Sequence, residues 1–123
     1  MIYLSIAAGG VLGALARYLV SVWLAGATGS GFPWATLLIN LAGSILLGFL
    51  LRSFPTWSSP PDARAFLTVG FCGSFTTFST FGYETVSLLQ ARAFGVAVAY
   101  AGGSFAVGLL AVVLGLAAGG RLR

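Results

Sequence analysis

Residues 70–82, with the sequence GFCGSFTTFSTFG, decide how this chain folds. The segment contains three glycines, five hydroxyl residues and four phenylalanines within an otherwise apolar stretch. Glycine weakens a helix, and Ser and Thr side chains compete for its backbone hydrogen bonds. At membrane depth, irregular backbone is tolerated only where protein buries it or water lines it. The segment therefore predicts a break in a membrane helix and marks where function should be sought.

The composition around this segment is typical of a membrane protein. Of 123 residues, 59% are hydrophobic and only 7% are charged, whereas about a quarter are charged in a soluble domain. There is no histidine, and the two acidic residues, Asp62 and Glu84, are far apart in sequence. This inventory leaves little for a zinc site, a catalytic triad or a carboxylate pair, so it argues against an enzyme. The lone Cys72 cannot form an internal disulfide.

Four apolar stretches are each long enough to cross a bilayer, which takes about 20 residues. The predicted helices cover approximately residues 2–24, 34–51, 63–91 and 94–118. The third is predicted to break near 73–77. Breaker-rich segments at 26–33 and 53–62 separate the first three helices, and the short connection near 90–95 predicts a hairpin. We predict one all-α transmembrane domain over residues 1–123.

The arginines predict the orientation of the chain in the membrane. With a cytoplasmic N-terminus, four arginines lie on the cytoplasmic side: Arg52, Arg64, Arg121 and Arg123. The other side holds Arg92 and, at most, Arg17. The positive-inside rule therefore favours cytoplasmic termini. Arg17, deep in the first helix, is a candidate vestibule or structural cation. Glu84 is a similar candidate, because it either pairs with an arginine or faces a water-filled mouth.

Two stripes of polar and small residues run along the second and fourth helices. Their members are Thr36, Asn40 and Ser44, and then Tyr100, Ser104 and Gly108. A spacing of four places each set on one helix face. Such side chains can simply hydrogen-bond neighbouring helices, but two stripes beside a broken helix point to a polar pathway. The amide of Asn40 can donate two hydrogen bonds to an anion.

The phenylalanines after the break indicate which kind of ion the pathway would suit. Phe78 and Phe81 are three residues apart and share a helix face. The edge of an aromatic ring is positive, so two edges beside the hydroxyls of Ser79 and Thr80 would favour a small anion. Carbonyls freed by the break could coordinate a small cation. Lipid or core packing is the simpler interpretation of the two rings, and these arguments do not identify the ion.

Three motifs resemble the fluoride-specific ion channel family. They are GGVLGALARY at 9–18, PWATLLINLAGS at 33–44 and GFCGSFTTFSTF at 70–81. The resemblance covers essentially the whole chain. It implies a passive channel in the bacterial inner membrane that exports toxic cytoplasmic fluoride. It also implies an antiparallel, dual-topology homodimer with two pores. A heterodimer with an oppositely oriented paralogue is the alternative, and the arginine excess on one side favours it.

The resemblance also implies roles for individual residues. Those it implies for the fluoride pore are Asn40, Phe78, Ser79, Thr80, Phe81, Tyr100 and Ser104. It implies that the backbone carbonyls of Gly73 and Thr76 bind a structural sodium ion at the dimer interface. Two carbonyls from each of two chains would give a site of four oxygens.

Two functions of other classes compete with a fluoride channel. A proton-coupled small multidrug transporter needs a membrane-embedded carboxylate in its first helix, where this chain has none; Glu84 is the only candidate within a predicted span. A non-transporting subunit of a membrane assembly would leave the polar stripes and the broken helix unexplained.

Overall fold

The computed structural model describes residues 1–27 and 31–120, without the side chains of residues 26, 27 and 56. Part of the predicted breaker, residues 28–30, lies outside the described residues. So do Arg121 and Arg123, which contribute to the predicted orientation.

All regular secondary structure in the described residues is helical, with no β-strand in residues 1–27 or 31–120, as predicted. Its elements are α1 (Ile2–Ala27), α2 (Trp34–Trp57), α3 (Pro61–Ala65), a π-helical segment (Phe66–Cys72), α4 (Gly73–Phe75), α5 (Phe78–Gln90) and α6 (Phe94–Gly120). By length and composition, α1, α2 and α6 could each cross a membrane. The elements from α3 to α5 take the place of the predicted third span, which is bent. The prediction of four helices with a broken third agrees with this arrangement.

The bend lies at two threonines between α4 and α5, within the predicted range. Thr76 and Thr77 have extended backbone, with φ/ψ of −78°/159° and −149°/116°. Their β-branched side chains suit extended backbone better than helix. The Thr77 side chain then accepts the N–H of Thr80 and begins α5 as an N-cap.

The π-helical segment immediately precedes this break. At its end, the N–H of Gly73 reaches back five residues to the carbonyl of Thr68 rather than four. A π-helical turn is rare and often marks a functional site. The backbone of α1 packs directly on the segment, since a Cβ on Gly9 would overlap the carbonyl oxygen of Phe66. The wide winding thus occurs where two helix backbones touch without side chains between them.

The most extensive helix–helix contact is between α2 and α6, and glycines allow the two backbones to come close together. A Cβ on Gly115 would overlap the carbonyl oxygen of Ile45 and lie 2.8 Å from the amide nitrogen of Phe49. Small residues allow this approach in membranes, where packing contacts hold helices together.

Large apolar side chains cover much of the outer surface. Val98 and Phe105 on α6 are each 70% exposed, and Trp23 on α1 is 72% exposed. A soluble monomer rarely exposes so much apolar surface. With three helices of spanning length, this surface identifies a membrane protein.

We predict that Gly115→Ala destabilises the protein by about 1–3 kcal/mol, because the added methyl group must push α2 away from α6. The midpoint of thermal unfolding in detergent measures the loss. The matched control is Gly102→Ala on the same helix, where a Cβ meets nothing within 4 Å. Equal midpoints for the two variants would contradict this account of the contact.

Candidate functional site

A cavity of about 430 Å³ lies beside the break, between α2, the π-helical segment, α4, α5 and α6. Six of the predicted site residues line it: Asn40, Gly73, Thr76, Phe78, Phe81 and Ser104. The other five do not: Arg17, Ser79, Thr80, Glu84 and Tyr100. No Asp, Glu, Lys or Arg is among the described residues that line the cavity. An ion there would meet hydroxyls, an amide, carbonyls and aromatic rings.

Asn40 holds the break in place by pairing with the backbone of Thr77. Its Nδ2 donates to the Thr77 carbonyl at 3.0 Å, and its Oδ1 accepts the Thr77 N–H at 2.7 Å. One side chain thus satisfies both backbone groups of a residue that is only 7% exposed. Without hydrogen-bond partners, such buried groups would lower the stability of the folded protein. Of the two N–H groups predicted to bind an anion, one remains after this pairing.

The same pairing releases a carbonyl on the other side of the break. In a continuous helix the N–H of Thr77 would donate to the carbonyl of Gly73, four residues earlier. Here it donates to Asn40, so the Gly73 carbonyl loses its helical donor. Gly73 is an exposed residue.

Thr77 is a site residue that sequence reasoning did not select. Its Oγ1 accepts the N–H of Thr80 at 3.2 Å, donates to Thr80 Oγ1 at 3.0 Å and lies 3.3 Å from Ser79 Oγ. Thr77 lines the cavity, whereas Ser79 and Thr80 lie on the exposed side of the first turn of α5. A Thr directly before the first apolar residue of a helix is a capping signal that could have identified it.

Three aromatic rings follow one another from the cavity into the bundle. Phe78 and Phe81 have ring centroids 5.8 Å apart, and Phe81 and Tyr100 have theirs 5.3 Å apart. Both pairs are tilted, which brings ring edges towards ring faces. Phe78 is 84% exposed, so its ring is free to contact a neighbouring molecule. Tyr100, by contrast, is fully buried.

Glu84 ties three helices together. Its carboxylate accepts the hydroxyl of Thr36 on α2 at 2.9 Å and that of Tyr100 on α6 at 2.6 Å. Among the described residues no arginine is paired with Glu84, and these two hydroxyls are its hydrogen-bond partners. The hydroxyl of Tyr100 is committed to this carboxylate rather than to the cavity. Thr36 is buried, at 4% exposure. The sequence placed it in the polar stripe of the second helix but did not predict this contact with Glu84.

Of the two remaining predicted residues, Ser104 lines the cavity and Arg17 does not. The Oγ of Ser104 is buried and has no hydrogen-bond partner among the residues described, so the wall of the cavity retains an unused donor. Arg17 is half-buried in α1, away from this cavity.

Comparison with known proteins gives the family. A family model described as CrcB-like protein, Camphor Resistance (CrcB), matches residues 4–116. The chain belongs to the CrcB family. Among CrcB relatives, a protein from Thermus thermophilus named fluoride-specific ion channel FluC is 48% identical over 98% of this chain and 94% of its own length. A protein of the same name from Acidobacterium capsulatum is 46% identical over 99% of this chain and 98% of its own. The family resemblance predicted from three motifs is confirmed.

We predict that Asn40→Leu destabilises the protein by about 1–3 kcal/mol for each Thr77 backbone group left without a partner. The side chain keeps nearly the same shape but can neither donate nor accept. Thermal unfolding in detergent measures the effect. As a control, Ser44→Ala removes a polar group from the same wall of the cavity without touching Thr77. An Asn40→Leu midpoint no lower than that of the control would contradict the pairing.

Proposed function

We propose that this chain is a passive, fluoride-selective channel that lets toxic cytoplasmic fluoride leave a bacterial cell across its inner membrane. The observation that carries the proposal is the cavity beside the break, where Asn40, Phe81 and Ser104 converge on a space lined by no charged residue among those described. The relatives that carry the name fluoride-specific ion channel support the choice of ion.

Neutral donors suit a small anion that must shed water and then leave again. The remaining N–H of Asn40, the unused hydroxyl of Ser104 and the positive edges of the phenylalanine rings can replace part of its hydration. A fixed positive charge would bind the anion more tightly and slow its exit, whereas conduction requires weak binding. Passive flow then follows the electrochemical gradient of fluoride.

The proton-coupled multidrug transporter receives no support from the same cavity. Coupling of that kind needs an ionisable group that the substrate can reach. Glu84 is outside the cavity lining, and its carboxylate is occupied by Thr36 and Tyr100. We therefore retain the channel, which carries out no enzymatic step.

The carbonyls of Gly73 and Thr76 fit a structural sodium ion. Gly73 has lost its helical donor and is exposed, and unwound backbone carbonyls coordinate Na⁺ in other membrane proteins. No cluster of His, Cys, Asp or Glu that could hold a metal occurs within residues 1–27 and 31–120. The ion would supply a positive charge that holds two broken helices together.

Two carbonyls per chain make an incomplete site, which favours a dimer. An antiparallel homodimer of dual topology would bring four oxygens together and would cover the exposed ring of Phe78. A heterodimer with an oppositely oriented paralogue would do the same. The arginine excess at one end, which Arg52 and Arg64 share, is the feature that favours the second arrangement.

The proposed function is tested by fluoride efflux from proteoliposomes that contain the purified protein. We expect fluoride to leave down its gradient while an equal chloride gradient persists, because chloride is larger and gains less from the same donors. An ionophore that clamps the proton gradient should leave the rate unchanged. Chloride efflux as fast as that of fluoride would contradict the selectivity, and a need for a proton gradient would favour the transporter.

We predict that Phe81→Ile lowers fluoride efflux by at least about tenfold, which corresponds to about 1.4 kcal/mol of lost stabilisation of the anion in the path. The substitution keeps apolar bulk but removes the polarised ring edge. The control is Phe94→Ile at the start of α6, outside the cavity lining. Undiminished efflux from folded Phe81→Ile would reduce this ring to a packing role.

We predict that Na⁺ raises the midpoint of thermal unfolding, since an ion that binds only the folded protein stabilises it. N-methylglucamine chloride at the same ionic strength is the comparison. Thr76→Ser should respond to Na⁺ as the wild type does, because the ligand there is a backbone oxygen. Identical midpoints in both salts would rule out the sodium site.

A further inference from the structure

The side chain of Arg64 lies where the apolar span of α2 ends. That span runs from Trp34 to Pro55, and its 22 residues cover about 33 Å, slightly more than the hydrocarbon core of a bilayer. From α3, the Arg64 guanidinium reaches back to this end of α2 and contacts the carbonyls of Phe54 and Ser59. These contacts place a positive charge at the level of the lipid headgroups.

Three contacts fix the orientation of the guanidinium. Its Nε donates to the Ser59 carbonyl at 3.0 Å, and its Nη2 donates to the Phe54 carbonyl at 3.5 Å. Its Cζ lies over the ring of Phe54, 5.6 Å from the ring centre, where a cation–π attraction adds to the two hydrogen bonds. An arginine that is already held in this way loses less side-chain entropy when it binds a ligand.

The part of the guanidinium that remains free suits a phosphate group. Arginine has five N–H donors in a planar fork. The bonds to the two carbonyls use one on Nε and one on Nη2, so three remain, on Nη1 and Nη2. Arg64 is an exposed residue. Paired N–H groups of this kind match two oxygens of one phosphate.

The charge of Arg64 has no counterion from the described part of the chain. Within residues 1–27 and 31–120, its hydrogen bonds go to carbonyl oxygens, which carry no formal charge. Asp62 is close in sequence, but residues two apart on a helix do not face each other, and both lie on α3. A membrane surface that carries anionic lipids supplies the missing negative charge.

The indole of Trp57 lies beside the same phenylalanine. T-shaped contacts join it to Phe54, with 6.5 Å between ring centres, and to Phe49, with 5.6 Å. Phe54 is buried, at 4% exposure, whereas Trp57 is 47% exposed. Tryptophan is enriched at the boundary between lipid tails and headgroups. Its position therefore agrees with the headgroup level inferred for Arg64.

We propose that Arg64 and Trp57 form a binding site for the headgroup of an anionic phospholipid. The lipid phosphate accepts the free N–H groups of Arg64, and the exposed part of the indole packs where the acyl chains begin. A lipid bound there reinforces the contact of α3 with the end of α2. This site is separate from the cavity and does not depend on which ion the chain conducts, so it goes beyond the proposed function.

The competing explanation is that Arg64 only joins α3 to α2, through bonds that are the same in any bilayer. Two substitutions separate the explanations. Arg64→Gln removes the charge and the fork but keeps an amide donor for one of the carbonyls. Arg64→Lys keeps the charge and loses the fork. Arg92→Gln is the matched control, because it removes an equal charge from an exposed arginine in the turn between α5 and α6.

The experiment measures the affinity of single phospholipids for the purified full chain in detergent by native mass spectrometry. Phosphatidylglycerol is compared with phosphatidylcholine of the same acyl chains, whose phosphate is balanced by a cation. We expect phosphatidylglycerol to bind the wild type at least about fivefold more tightly, as one arginine near the membrane surface predicts. Arg64→Gln should abolish this ratio, Arg64→Lys should reduce it, and Arg92→Gln should preserve it. Thermal unfolding without added lipid checks that each variant is folded.

Four results would overturn the proposal. Equal ratios for Arg64→Gln and Arg92→Gln would reduce the effect to overall charge, and a wild type without preference would remove the site. A ratio for Arg64→Lys equal to that of the wild type would exclude recognition by the fork, and this comparison decides if Arg64→Gln does not fold. Displacement of the lipid by inorganic phosphate would make the ligand a free anion. None of these results alters fluoride efflux, which tests the proposed function separately.

Discussion

The pairing of the Asn40 amide with the backbone of Thr77 is the interaction on which the site depends. A break inside an apolar bundle leaves backbone groups that neither water nor helix can satisfy. One amide from α2 satisfies both of those on Thr77. The consequences extend in two directions, since the Gly73 carbonyl is released behind the break and the Thr77 hydroxyl is fixed ahead of it. A single side chain therefore sets the geometry of both arms of the bent helix.

The break itself could be predicted from the sequence because its causes are local. Glycine lowers helix propensity locally, and hydroxyl side chains compete for backbone hydrogen bonds inside a helix, so the concentration of both in residues 70–82 indicates an interruption. The place where α5 begins, at Phe78, follows from the capping chemistry of Thr77. The π-helical winding of Phe66–Cys72 was not foreseen. The sequence FLTVGFC contains no signal that separates π-helical from α-helical winding, and its position against the α1 backbone depends on tertiary packing.

The partners of the polar side chains were harder to predict, because they come from distant parts of the chain. Glu84 meets Thr36 across 48 residues and Tyr100 across 16. From the sequence alone, the predicted surroundings of Glu84 were an arginine or a water-filled mouth. Asn40 was predicted as an anion ligand with two free donors, but the structure uses one of them on Thr77. Thr77 carries a local capping signal, but its pairing with Asn40 across 37 residues appears only in the fold.

The absence of formal charge from the described lining of the cavity has an electrostatic consequence. Mobile salt weakens attraction between fixed charges and an approaching ion over a Debye length of about 10 Å at 0.1 M. Hydrogen bonds and ring edges act at contact and are almost untouched by such screening. A protein that discriminates in this way keeps its preference across fresh and saline surroundings, whereas a charge-lined pore would change with the ionic strength of its environment.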